Sequence, residues 1–333
     1  MSDTPAAAAP DRGAHGPGAP DAAGLVAALR LEPTAPLLFD QAYVATTQPC
    51  PWPKAYGGDM VAQAAVAAMR SCPDKTLHSM HSYFMRPVDI GAHIHYEVEL
   101  LRDGRGYATR QVRALQNGKC AYVALASFHA QEVDAAHWAP QARDVLPLDV
   151  PDPEELPTSA QVLADVEPGT PQAGTMSEAA RDYWRTGRSV DMRHVPGPMY
   201  VEVAGDRVPH QGVWVRAFAS LPDAPGLDAD ATHRAALAYA CDYTIIEPTL
   251  RVLGIAWSDP GLVTASLDHA MWFQAPARVD DWLLYAQSSA GAQAGRGLGI
   301  GRFFDRQGRL VATLAQEAMI RPGAPAPHTA SGG

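Results

Sequence analysis

Asp242 is the residue that asks for an explanation. It sits in the stretch RAALAYACDYTIIEP, where it is the only charge between Arg234 and Glu247. The surroundings, Ala235 to Ile246, are apolar or small and long enough for a buried helix. An ionised carboxylate in such a setting is costly unless paired or hydrogen-bonded. General-base catalysis is one reason to carry that cost. A turn of the helix towards solvent, or a nearby backbone N–H, is the bland alternative. Gln316 raises a similar question. In LVATLAQEAMI it falls on the same strand face as Leu310, Leu314 and Ala318, so an amide lies on the apolar side. A glutamine satisfied by backbone at a sheet edge explains it equally well.

Other chemistry-bearing groups are weaker. His78 and His81 lie in SMHSYF, and His269 follows Asp268. A His–Asp dyad would suit a dehydratase, but neighbours in a strand point to opposite faces. These residues therefore read as mostly structural. Arg102 and Arg105 flank Asp103-Gly104 and read as the rim of a turn. No glycine-rich phosphate loop, serine nucleophile elbow or metal signature is present.

The elements that must position these groups come in two sets. Tyr56-Gly57-Gly58-Asp59 followed by an alanine-rich run predicts a helix over 59–69, with Asp59 at its cap. Strands are expected at Ser79–Arg86, His93–Leu100, Tyr107–Leu115 and Ala121–Ala130. Asp103-Gly104 and Asn117-Gly118 are hairpin signals between them. A short helix is expected at Gly24–Leu31. The second half repeats this order, with a strand at Val213–Ser220, the Asp242 helix, and a strand over Val263–Phe273. Phe84 and Phe273 differ by 189 positions, as do Pro87 and Pro276; Arg105 and Arg296 differ by 191, and Gly118 and Gly308 by 190. Near-constant shifts indicate two copies of one unit.

Composition sets the frame. The 333 residues are 47% hydrophobic and 19% charged, with a net charge of −10. That is a globular composition, and the acidity argues against non-specific binding to nucleic acid. No apolar run approaches the roughly eighteen residues that span a membrane. Four scattered cysteines suggest neither zinc nor disulfides, and fit a reducing, cytoplasmic setting. The expected division is a tail over 1–23, one unit over 24–135, a linker over 136–198, a second unit over 199–322, and a tail over 323–333. The tail 1–23 is Ala-, Pro- and Gly-rich and reads as disordered, not as a secretory signal. The linker is acidic and proline-rich near its start, with neither Lys nor Arg between 144 and 167.

Each copy is an apolar helix wrapped by an antiparallel sheet, which describes an α+β double hotdog. GGDMVAQA, LHSMHSYFMRP, LLRDGRGYATRQVRALQNGK and ASFHAQE in the first half resemble the type II acyl-CoA thioesterases. So do VWVRA, LAYACDY, LDHAMWF and ATLAQEAMIR in the second. The resemblance spans roughly residues 36–130 and 199–322. It implies hydrolysis of acyl-CoA to a free acid and CoA, without a metal or other cofactor. It also implies a catalytic trio, which carries over to Asp242, Ser266 and Gln316. The family's usual residue at 266 is threonine; serine keeps the hydroxyl but loses the methyl that restricts its rotamer. Counting back by 190, Ser266 meets Thr76 and Gln316 meets Ala126, so one active site per chain is expected. Gly58, Asp59 and His81 are the expected substrate contacts, with a backbone N–H near Gly58 and Asp59 as oxyanion donor. Homo-oligomers are expected because hotdog sheets carry edges that need cover. A hotdog hydratase or lyase, and a silent acyl-binding module, are the competing readings.

Overall fold

The computed structural model describes residues 20–130 and 150–323. The terminal tails up to 19 and from 324, and linker residues 131–149, lie outside them.

The first unit opens with α1 (Ala23–Ala28), β1 (Glu32–Thr34) and β2 (Gln41–Ala45). Helix α2 (Gly57–Arg70) follows, then β3 (Thr76–Phe84), β4 (Ile94–Asp103), β5 (Tyr107–Gln116) and β6 (Lys119–His129). Every residue of α2 from Gly58 to Met69 is buried. The alanine-rich composition is what lets backbone pack closely on all sides of it. Asn117 and Gly118 take positive φ angles of 51° and 70°, and the hairpin pairs Gln116 with Lys119. This is the turn that Asn-Gly favours.

The second unit contains β7 (Val190–Val195), β8 (His210–Ala217), α5 (Ala229–Ala240) and α6 (Glu247–Leu253). It ends with β9 (Val263–Ser266), β10 (Asp268–Phe273), β11 (Leu283–Gln293), β12 (Arg296–Asp305) and β13 (Leu310–Arg321). Between the units, α3 (Ser159–Val162) lies against β7, where Ser159 Oγ donates to the Met192 carbonyl at 3.2 Å, and α4 (Glu178–Asp182) leads into the buried Tyr183 and Trp184.

Among the described residues the thirteen strands form one sheet, ordered β1-β2-β4-β5-β6-β3-β10-β13-β12-β11-β8-β7, with β9 on β13. The order reads the same from either end once each strand is replaced by its counterpart in the other unit. The units join at β3 and β10, antiparallel, with Met80 opposite Met271. The duplication read from the sequence is thus the symmetry of the sheet, and the fold is a double hotdog.

Three expectations change. The span predicted as linker, 136–198, includes β7, which pairs with β8 from Val190–Ala217 to Val195–Gly212. The acidic, proline-rich start of the span hides the alternating VDMRHV at its end. The helix predicted through Asp242 stops at Ala240 and resumes at Glu247. Pro248 has no N–H to give to the carbonyl of Thr244, and its ring crowds that carbonyl, so the helix must break. The strand predicted over Val263–Phe273 is split at Leu267: β9 pairs with β13, while β10 pairs with both β13 and β3.

Candidate active site

Helices α2 and α5 pack against each other, with the N-terminus of α2 beside the C-terminus of α5. The Tyr56 hydroxyl donates to the Tyr239 carbonyl at 2.7 Å. A Cβ on Gly58 would lie 2.3 Å from that same carbonyl oxygen. Only glycine permits this approach. Tyr56 stacks on Tyr243, ring centroids 4.1 Å apart, and Tyr243 shares its hydroxyl with Tyr239 at 2.6 Å and Tyr183 at 2.7 Å. This aromatic knot fixes the turn over 241–246 that carries Asp242.

The turn is held from below as well. Gly299 of β12 leaves room for it: a Cβ there would be 2.3 Å from the Ile245 carbonyl oxygen. Gln287 donates to Thr244 Oγ1 at 2.6 Å. Glu247, which starts α6, accepts from Gln211 at 2.6 Å and Trp257 at 2.8 Å, and His194 Nε2 lies 3.3 Å away. Burial alone would raise the Glu247 pKa, but His194, Trp257 and Gln211 outweigh it and hold the carboxylate below its usual range. Arg251 donates to the carbonyls of Gly197 and Ala204, each at 2.6 Å. Buried hydrogen bonds of this kind hold the start of α6 in place.

Asp242, Ser266 and Gln316 converge. Ser266 Oγ donates to Asp242 Oδ1 at 2.9 Å. Gln316 Nε2 donates to the same oxygen and to Ser266 Oγ, the latter at 2.9 Å. The serine hydroxyl is therefore fixed by two hydrogen bonds where the threonine methyl is missing. Gln316 is buried, while Asp242 and Ser266 are half-buried. Gln316 Oε1 is buried without a hydrogen-bond partner among the described residues. Such an orphaned acceptor in a polar site suits an ordered water. Burial raises the pKa of Asp242; Gln316, Ser266 and the Gly58 backbone N–H oppose the rise. Desolvation disfavours the charged form, while hydrogen bonds to that form favour it.

The other expected contacts divide. Gly58 lies against Asp242, as its N–H shows. Asp59 does not cap α2, whose N-cap is Tyr56. It sits in the first turn, fully buried, with its oxygens taken by the Gln48 backbone N–H at 3.0 Å and Gln48 Nε2 at 2.9 Å. His81 is corrected outright as a substrate contact. Strand alternation turns it to the outer face of the sheet, where it meets Trp272 edge-on at 5.0 Å. Asp268 and His269 form no dyad. Asp268 accepts from the Glu317 backbone N–H at 2.8 Å, whereas His269 is buried with Nε2 3.2 Å from Cys241 Sγ. Burial, with His81 adding to it, pushes the His269 pKa down to about 3, so the ring is neutral. Among the described residues no cluster of three or more His, Cys, Asp or Glu is placed to hold a metal ion.

Sequence reasoning missed the tyrosine knot, Gln48 and the Glu247 network. Only Tyr243 carried a signal, standing next to Asp242; the rest depend on contacts between distant segments.

Comparison with known proteins shows what the chain is similar to. Residues 185–319 match the family model described as acyl-CoA thioesterase, and residues 48–129 match the acyl-CoA thioesterase N-terminal domain. Acyl-CoA thioesterase 2 of Haemophilus influenzae is 31% identical, over 89% of this chain and 96% of its own. Human acyl-coenzyme A thioesterase 8 is 33% identical, over 81% and 82% respectively. Among solved structures, an acyl-CoA thioesterase II TesB2 from Mycobacterium marinum superposes with a TM-score of 0.66 at 31% identity, covering 90% of this chain and 98% of that one. A hot dog fold protein from Alicyclobacillus acidocaldarius superposes at 0.65 with 19% identity, covering 90% and 98%, which shows the fold alone.

Proposed function

Because the chain belongs to the type II acyl-CoA thioesterase family and is a thioester hydrolase, we propose that Asp242, Ser266 and Gln316 carry its chemistry. The observation that supports this most is the closed set of hydrogen bonds among three side chains drawn from positions 24, 50 and 74 residues apart.

In this reading a water sits between Asp242 and the free Gln316 Oε1. Ser266 and Gln316 orient the carboxylate, and Asp242 takes the water's proton as general base. The hydroxide oxygen bonds to the thioester carbon, and the carbonyl oxygen becomes an oxyanion facing the first turn of α2. Helix N-termini favour that charge. Collapse breaks the C–S bond, and the proton held by Asp242 passes to the CoA sulfur. The products are a carboxylic acid and free CoA thiol. The first unit supplies the Gly57–Gly58 turn, and the second supplies the trio, giving one site per chain. A reducing, cytoplasmic setting belongs to the same reading, as does self-association. The four cysteines are free.

A hydratase on this scaffold needs an ionisable acid–base pair, and the separation of Asp268 from a neutral His269 speaks against it. The test is release of thiol from acyl-CoA, followed with a thiol-reactive dye. Wild type should release thiol, and Asp242→Asn should lose about 10²–10⁴-fold in kcat, the usual worth of a general base. Wild-type rates in a folded Asp242→Asn protein would overturn the assignment. A panel of acyl-CoAs of differing length and branching then defines the substrate.

A further inference from the structure

We infer that Asp59 is a positioning residue for the hydrolysis, a second buried carboxylate whose charge strengthens Asp242 as a base. The inference rests on the reading of Asp242 as that base.

The two carboxylates flank the same turn of helix. Asp242 approaches Gly57 and Gly58 from outside α2: a Cβ on Gly57 would be 2.6 Å from Asp242 Oδ2, and the Gly58 N–H points at the carboxylate. Asp59 is the next residue, with its side chain directed to Gln48. Its position is locked by a relay. Gln48 Oε1 accepts from Ser189 Oγ at 3.0 Å, and Ser189 Oγ accepts from the Leu25 N–H at 2.9 Å. No exposed surface remains on Asp59. A rigid, dry carboxylate has few reasons to stand beside a catalytic one. It does not cap its own helix; its two hydrogen bonds tie the segment at Gln48 to α2.

Burial pushes Asp59 up to about 7, against the two Gln48 hydrogen bonds, and the Asp242 charge adds to the rise. The other titratable groups facing Asp59 are Tyr239 of α5, Tyr96 of β4, Tyr183 and Cys50. Asp242 is faced by Tyr56, Tyr122, Cys241 and Tyr285 as well. All of these have raised pKa values and are neutral near pH 7. The two carboxylates are then the charged groups on either side of this turn, and on this proposal they act on each other. When Asp59 ionises, Asp242 binds its proton more tightly. A tighter hold on the proton makes Asp242 a better acceptor from water, and the same proton is later given to the leaving sulfur.

The experiment is the pH dependence of kcat/KM in wild type, Asp59→Asn, Gln48→Met and Asp242→Asn. Wild type should show two steps on its acidic side, the upper one near pH 7. Asp59→Asn should lose the upper step and keep the lower one in place, with a lower plateau. Gln48→Met cuts the side-chain tether but keeps both carboxylates, so two steps should persist. An unchanged two-step profile in Asp59→Asn overturns the inference, as does loss of the upper step in Gln48→Met. Infrared difference spectroscopy gives a readout independent of rate. A protonated-carboxyl band titrating near pH 7 should vanish in Asp59→Asn and move to lower pH in Asp242→Asn. If Asp242→Asn keeps its activity, the base assignment fails; the infrared titration still reports whether the two carboxylates are coupled.

Discussion

Gly57 opens the central helix of the first unit and Asp242 follows that of the second, yet a Cβ on Gly57 would lie 2.6 Å from Asp242 Oδ2. The carboxylate occupies the space that a side chain would fill. Gly57→Ala separates site geometry from stability for this reason. Alanine in a helix is ordinarily favoured over glycine by about 1 kcal/mol. Here it should displace Asp242 from Ser266 and Gln316. We expect thiol release to fall at least tenfold while the far-UV circular dichroism stays that of wild type.

Substitutions at Ser266 and Gln316 separate the water-holding groups from substrate binding. Ser266→Thr keeps the hydroxyl and should be tolerated. Ser266→Ala removes one donor to Asp242 Oδ1 and one acceptor for Gln316. Gln316→Leu removes the other donor and the free Oε1. Both losses should lower kcat more than they raise KM, because they act on the water and its base. A rise in KM alone would move these residues from the chemistry to binding.

Raised carboxylates give activity and stability opposite pH trends. Asp242 acts only when ionised, so activity falls as pH drops through its raised pKa, at a pH above the ordinary carboxylate range. Stability has the other sign. A group with a raised folded-state pKa contributes stability fully present below its unfolded value, and that stability is lost as pH rises through the folded value. For Asp59 the window runs from the ordinary value of 3.8 to about 7. Thermal unfolding should give a melting temperature that falls across this window as the hydrolysis rate rises. A melting temperature that climbs from pH 4 to 7 would contradict both assignments.

Glu247 anchors the turn from the far side, and its removal should be felt in the fold first. Glu247→Leu leaves Gln211, Trp257 and His194 facing a buried methyl group. Breaking a buried charged network from one side costs about 3–5 kcal/mol. Denaturant unfolding should show that loss, with activity falling in step as the Asp242 turn loosens. Unchanged stability would mean that the network is not what holds the turn.

The outer face of the sheet bears on assembly. Tyr83, Leu125 and Trp272 are 60%, 48% and 38% exposed, around the β3–β10 seam. A second copy covering this face fits the self-association proposed above. Light scattering should give a mass above one chain for wild type and a smaller one for Trp272→Lys. A monomeric wild type at micromolar concentration would exclude it.

What the sequence by itself determined is the repeated unit, together with the three groups proposed to react. Asn117-Gly118, the buried alanine helix and the near-constant spacing of Phe84 and Phe273 are local signals, written in turn chemistry and periodicity. Motif order then led to Asp242, Ser266 and Gln316. Tertiary structure decided where those groups stand. Asp242 read as mid-helix because Ala235 to Ile246 is uniformly apolar; Pro248 breaks the helix, and Gly299 and the tyrosine knot give the freed turn a seat. Asp59 read as a helix cap because an acid after a glycine pair usually caps. Gln48, eleven residues earlier, claims it instead. His81 read as a site residue because it lies in a motif, and only strand register sends it outward. Helices, hairpins and repeats depend on near neighbours in the chain, and so they are legible. The site depends on which glycines let two backbones touch, and that is fixed by the packing of one unit on the other.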